Sequence, residues 1–146
     1  MKIGFCGHRD CFLEEKEIMK LEKIIESIIK SATNIEFYLG GYGSFDNICL
    51  SLLKKLKEEY NNFEIIFVTP YLENNYISNR VEMKNYDKTL YPPIENTPKK
   101  FAIEKRNFYM VDNANVLICY VEHKFGGAYK MFKRAMNKGV KCYNLA

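Results

Sequence analysis

With 146 residues, 17.2 kDa, 47% hydrophobic and 27% charged side chains, the chain has the size and make-up of one globular domain, which excludes disordered, collagen-like and disulfide-scaffold classes. The net charge of +4 is unevenly placed: residues 99–146 hold ten Lys/Arg against three Asp/Glu, which suggests an anionic partner, either a phosphate ligand or a nucleic acid. No apolar run approaches the roughly 18 residues that span a bilayer and residues 1–5 lack the build of a signal peptide, so a cytoplasmic location and no membrane partner are expected.

The pattern alternates strand and helix. Lys2–Gly7 is a short apolar run ending in glycine and reads as a strand. Residues 12–31 carry Ile18, Leu21, Ile25 and Ile28 at spacings of three and four, which predicts an amphipathic helix with Asp10 as its cap. Ile35–Leu39 is the second predicted strand, stopped by Gly40-Gly41. Ser44 is placed to cap the next helix, whose apolar face is Ile48, Leu52, Leu56 and Tyr60. Phe63–Val68 is the third strand, closed by Thr69-Pro70.

Residues 71–96 show no clear period, and a connection this long is expected to be an insertion or a lid. Thr97-Pro98 is a start signal for a helix running to about Asn113. Residues 116–121 form the fourth predicted strand. Gly126-Gly127 opens a helix through Lys138 that Gly139 ends, and residues 140–145 are the fifth strand. The prediction is a single α/β domain over residues 1–146, a Rossmann-like three-layer sandwich around a mostly parallel five-stranded sheet. Ligands of such sheets bind beyond the carboxyl ends of the strands.

Five cysteines cannot all pair. Cys49, Cys119 and Cys142 sit in apolar runs, where small buried hydrophobes go, while Cys6 and Cys11 lie near a loop. No His/Cys set has zinc spacing, so no metal and no required cofactor are expected.

Three strand-to-helix loops carry the distinctive residues. In Gly7-His8-Arg9-Asp10, glycine permits a sharp turn and Arg9 is suited to bidentate phosphate binding; the plain alternative is an exposed arginine. In Gly40-Gly41-Tyr42-Gly43-Ser44-Phe45-Asp46, three glycines before a helix make a phosphate cradle, although the ending is neither a P-loop nor GxGxxG. Asp46 would repel phosphate and suits a ribose hydroxyl instead, or serves only the helix dipole. The third loop, Glu122-His123-Lys124-Phe125-Gly126-Gly127-Ala128, repeats the glycine pair before a helix. Glu122 and His123 have the chemistry for acid/base work, but nothing in the sequence pairs them with a target. Arg106-Asn107, on the preceding helix, is a candidate for the same site, with a solvated arginine as the alternative.

In this order, these motifs resemble the SLOG superfamily, which joins the Rossmann-like domain of DNA-processing protein A (Smf) with the Lonely Guy family. The likeness spans nearly the whole chain except residues 71–96. It implies a nucleotide-binding domain and, on the Lonely Guy side, hydrolysis of a nucleoside 5′-monophosphate to free base and ribose 5-phosphate. There the signature is a helical arginine followed by PGGxGTxxE. Arg106 matches the arginine and Gly126-Gly127 the glycine pair. Phe125 stands where proline would be, Tyr129-Lys130 where Gly-Thr would be, and Lys133 where the glutamate would be. A lysine cannot stabilise an oxocarbenium-like centre or activate water as a carboxylate does.

The leading expectation is therefore a sensor or regulator that binds a nucleotide or nucleotide derivative. Its site would comprise Gly7, His8, Arg9, Gly40, Gly41, Gly43, Ser44, Asp46, Arg106, Asn107, Gly126, Gly127 and Ala128. An N-glycosidase with Asp46, Arg106 or Glu122 in catalysis is the first alternative. Single-stranded nucleic-acid binding through Tyr129, Phe132 and Lys133 is the second. The resemblance also implies a homodimer.

Overall fold

The computed structural model describes residues 1–84 and 86–146, leaving aside the side chains of residues 82–84. Chain order is β1 (Lys2–Gly7), α1 (Glu15–Ser31), β2 (Ile35–Leu39), α2 (Ser44–Leu56), β3 (Phe63–Val68), α3 (Asn74–Lys84), β4 (Lys88–Leu90), a 3-10 turn at Lys99–Phe101, α4 (Ala102–Asn113), β5 (Val116–Tyr120), α5 (Gly126–Lys138) and β6 (Lys141–Asn144). The strands form one sheet in the order β4-β3-β2-β1-β5-β6, and every pairing is parallel.

Strand side chains alternate between two cores. Ile3, Phe5, Phe37, Ile65 and Ile118 face one of them, where Leu21, Ile25 and Ile29 of α1 and Cys49, Leu53 and Leu56 of α2 pack. Cys6, Tyr38, Ile66, Leu117 and Cys119 face the other, closed by Met110 and Val111 of α4 and Met131 and Ala135 of α5. Both faces are covered, which is why the strands read as continuous apolar runs. The result is the expected three-layer α/β sandwich.

Among the described residues the sheet has six strands rather than five. The extra strand lies inside the 71–96 stretch, in which no period was evident and an insertion or lid was expected; within it, residue 85 lies outside the described residues. β4 is only three residues long, too short to show a period. It is held by its approach: Tyr86 is buried and stacks on Phe67 at 5.2 Å. Asp87 then binds Ile65 twice, its N–H donating to the Ile65 carbonyl (2.8 Å) and its carboxylate accepting from the Ile65 N–H (2.8 Å). Lys57 reaches the same carboxylate at 2.9 Å. α3 presents little apolar surface at helical spacing; Tyr76 and Val81 rest half-buried against the first core.

Helix starts also differ from expectation. α1 begins at Glu15 behind Glu14, whose N–H donates to the Glu17 carboxylate at 2.8 Å, so Asp10 is not its cap. α2 is preceded by Gly43, not capped by Ser44. The Thr97-Pro98 signal opens the 3-10 turn, and α4 follows to Asn113 as expected. Gly139 ends α5 in the left-handed region (φ 75°). Cys6, near a loop in sequence, is 2% exposed within β1. All five thiols are free.

Candidate functional site

The chain winds outward from β1 through β2 and β3 to β4, then returns to lay β5 on the other side of β1. The carboxyl ends of β1 and β5 thus flank the topological switch point, where open α/β sheets leave a crevice. A cavity of about 390 Å³ opens there, bordered by the loops after β1, β2 and β5 and by α4.

From the β1 loop come Gly7, His8 and Arg9. Gly7 is a packing residue as well: a Cβ there would lie 2.4 Å from Phe45. His8 is 8% exposed, and its Nε2 accepts hydrogen bonds from the backbone N–H of Glu122 (2.9 Å) and of His123 (3.2 Å). A ring nitrogen that accepts carries no proton, so the imidazole is neutral with its proton on Nδ1. Burial, then the neighbouring His123, holds His8 below the ordinary histidine range. The two imidazoles stack at 3.8 Å, and His123 stacks in turn on Phe125 at 4.9 Å. Arg9 is exposed, its guanidinium 4.9 Å from the centre of the Tyr42 ring.

The loop after β2 is filled by its own neighbours. Gly41 (φ 73°) packs on the Phe67 ring, which a Cβ would meet at 2.6 Å, and Gly43 (φ 97°) lies on the backbone of Arg9. The Ser44 N–H donates to the Arg9 carbonyl at 2.9 Å. The Ser44 hydroxyl donates to that carbonyl and accepts from the Cys11 N–H at 2.8 Å. Gly41, Gly43 and Ser44 therefore lie behind the cavity wall; Gly40, Tyr42 and Asp46 line it.

Asp46 is 9% exposed, and its carboxylate accepts from the Tyr42 N–H at 3.3 Å. Burial raises its pKa to about 6, against the pull of that N–H and of the Arg106 charge. Arg106 itself is 3% exposed. Its Nη1 donates to the carbonyls of Gly40 and Val68, both at 2.8 Å, and its Nε to Asn107 Oδ1 at 2.9 Å. The arginine thus ties α4 to the ends of β2 and β3. Gly40 must be small for this, since a Cβ would sit 3.1 Å from the guanidinium carbon.

The third loop is the open one. Phe125, at the N-cap of α5, has extended backbone; the helix has no side-chain cap and no acidic residue in its first turn. Its amides are therefore left to solvent or ligand. Gly126 has φ 89°, and a Cβ there would meet nothing within 4 Å. Cys6 Sγ donates to the Ala128 carbonyl at 3.0 Å, pinning this turn to β1. Gly127, Ala128 and Asn107 line the cavity beside it, while Glu122 is exposed and outside the lining.

No protein-family model matches the chain, and no curated protein matches it significantly in sequence. Solved structures do resemble it. DNA processing protein A (DprA) from Streptococcus pneumoniae superposes with a TM-score of 0.68 at 16% identity, over 98% of this chain and 49% of that one. DNA processing protein A from Helicobacter pylori, solved to reveal its single-stranded DNA binding mode, gives 0.66 at 14% identity, over 99% and 64%. A structural-genomics target, TM1055, gives 0.56 at 12% identity, over 97% and 71%. The likeness is one of fold: a Rossmann-like α/β domain with a parallel sheet is common to all of them. The chain spans about half the length of the Streptococcus protein and under two thirds of the Helicobacter one.

In the basic last third, four of the ten Lys/Arg form ion pairs among the described residues. Lys99 pairs with Glu73, Lys130 with Glu104, and Arg134 and Lys138 with Asp112. Two hydrogen bonds from Arg134 and one ion pair from Lys138 hold the Asp112 carboxyl down at about 2. Tyr129 and Phe132 rest half-buried against the second core. No helix is long and apolar enough to cross a membrane among the described residues, which also hold no cluster of metal-binding side chains. Sequence reading did not select Tyr42, Ile103 or Phe125 as site residues, yet all three line the cavity and are 50%, 44% and 70% exposed. Their signal was position: each lies in or beside a motif that was selected.

Proposed function

We propose that the chain binds a nucleotide or nucleotide derivative in the cavity at the switch point, as a sensor or regulator. One observation carries this reading: the uncapped, glycine-opened first turn of α5 faces a cavity that also offers a cation and a buried carboxylate. The amides at Gly126, Gly127 and Ala128, with the positive end of the helix dipole, suit a phosphate, and exposed Arg9 adds charge. Asp46 suits a ribose hydroxyl, and the Nδ1–H of neutral His8 is a further donor. Arg106 and Asn107 hold the floor in place rather than meeting phosphate head-on.

Thermal stability across nucleoside mono-, di- and triphosphates, NAD and ADP-ribose tests the reading. A ligand at 100 times its dissociation constant adds about 2.7 kcal/mol, on the order of 5–10 °C for a domain of this size. The expected result is such a shift with one ligand class, reduced in Arg9→Ala. No shift with any of them rejects the reading.

A second reading is N-glycosidase chemistry on the same ligand. It is favoured by Asp46, a buried carboxyl in the cavity with a pKa near 6, where an acid/base group works best at neutral pH. Free base released by wild-type protein and not by Asp46→Asn supports it. The Helicobacter neighbour's single-stranded DNA binding supports a third. A steep fall of oligonucleotide affinity with salt is its signature, although Tyr129 and Phe132, packed half-buried against the second core, favour the small ligand.

A further inference from the structure

The nucleotide reading leaves one feature unused, the row of rings at the rim of the cavity. His8, His123 and Phe125 form a parallel stack, with interplanar angles of 18° and 16°. The inner end is fixed: His8 is buried and held by two backbone N–H groups through Nε2. The outer end is open: Phe125 has one face on His123, yet 70% of the residue remains exposed. A large exposed aromatic has no stabilising role in the core. Its extended backbone is one that any residue adopts, so capping α5 does not require phenylalanine. The ring stands next to the open Gly126 turn, and Ile103, also exposed, lines the same cavity.

We infer that Phe125, as the outer ring of the His8–His123–Phe125 stack, is the platform on which the ligand's nucleobase lies, so that the site selects ligands bearing an aromatic base over bare sugar phosphates. This rests on the nucleotide reading and sharpens it. A base added to the stack becomes its fourth ring, with its phosphate at the neighbouring amides of α5. Every base has a π-face, so the platform confers a preference for nucleotides as a class, and polar groups deeper in the cavity distinguish among bases.

The test is calorimetric titration of wild type, Phe125→Ala and Phe125→Trp with the four common nucleoside 5′-monophosphates and with ribose 5-phosphate. Phe125→Ala is expected to weaken the preferred monophosphate about 5- to 150-fold, the range spanned by losing one base-on-aromatic stack. It should leave ribose 5-phosphate unchanged, and Phe125→Trp should retain monophosphate binding. Monophosphate binding that survives in Phe125→Ala overturns the inference while leaving the nucleotide reading intact. Equal loss of monophosphate and ribose 5-phosphate also overturns it, because Phe125 would then only shape the helix start. Wild-type protein that binds none of these probes overturns the inference, and the nucleotide reading falls with it only if the di- and triphosphates, NAD and ADP-ribose fail as well. Unchanged thermal midpoints in both variants show that the comparison is made on folded protein.

Discussion

The chain uses two glycine-rich strand ends that look alike in sequence and do opposite work. Around Gly40, Gly41 and Gly43 the absent side chains make room for the protein itself: the Arg106 guanidinium, the Phe67 ring and the Arg9 backbone. The amides of Tyr42 and Ser44 are already bonded to Asp46 and to the Arg9 carbonyl. Around Gly126 the absent side chain makes room for nothing in the protein, and the first turn of the helix that follows holds no acidic residue, whereas that of α2 holds Asp46. A glycine run at a strand end is therefore no sufficient sign of a phosphate cradle. What distinguishes the two is whether the space and the amides are already taken.

Substitutions at the two ends should separate folding from binding. The largest effect is expected from Arg106→Ala. It strips the buried carbonyls of Gly40 and Val68 of their donor and leaves Asp46 without its nearby cation, at a cost of about 4 kcal/mol in chemical denaturation. Gly41→Ala should follow at about 3 kcal/mol, from a positive φ combined with a clash on Phe67. Both should lower stability whether or not ligand is present.

Asp46→Asn should act in the other direction. The folded-state pKa of Asp46 lies above its ordinary 3.8, at about 6, so the native state holds the proton more tightly than the unfolded state does. Its contribution to stability is complete below about pH 4 and is lost as pH rises through 6. The asparagine variant should therefore gain on wild type with rising pH, by up to about 3 kcal/mol at pH 7.5. Urea midpoints at about pH 3, below the unfolded pKa, and at about pH 7.5 measure this. His8, whose pKa is lowered, works in the opposite sense in both proteins and cancels in the difference. A gap independent of pH would contradict the buried, ionising Asp46.

The smallest stability effect belongs to Gly126→Ala. Only the positive φ opposes it, at about 1 kcal/mol, because its Cβ would enter open space. Its effect should appear in ligand affinity instead. If Gly126→Ala unfolded the protein as Gly41→Ala does, the contrast between the two strand ends would fail.

Much of the fold was legible because both faces of the central sheet are covered. The five strands expected from sequence are apolar runs, and α1, α2, α4 and α5 between them keep an apolar stripe. β4 and α3 were not legible for a physical reason. They lie at one end of the sheet, where three residues of strand and a weakly amphipathic helix suffice once Tyr86 and Asp87 anchor them. At the site, the place of the loops followed from the α/β topology. The division of labour among their residues did not, because it depends on long-range pairings. Nothing near Arg106 in sequence indicates that its partners are the carbonyls of Gly40 and Val68, and nothing beside Gly41 foretells the Phe67 ring. The stack of His8, His123 and Phe125 likewise joins two loops 115 residues apart.

The central claim is that the α5 end, and not the α2 end, meets the ligand. It is tested most directly by titrating isotope-labelled protein with the preferred nucleoside monophosphate and following the backbone amide resonances. The account predicts that the largest shifts fall at Gly126, Gly127 and Ala128, with Gly41, Gly43 and Ser44 nearly still. Shifts centred on residues 41–44, or none at either end, would contradict it.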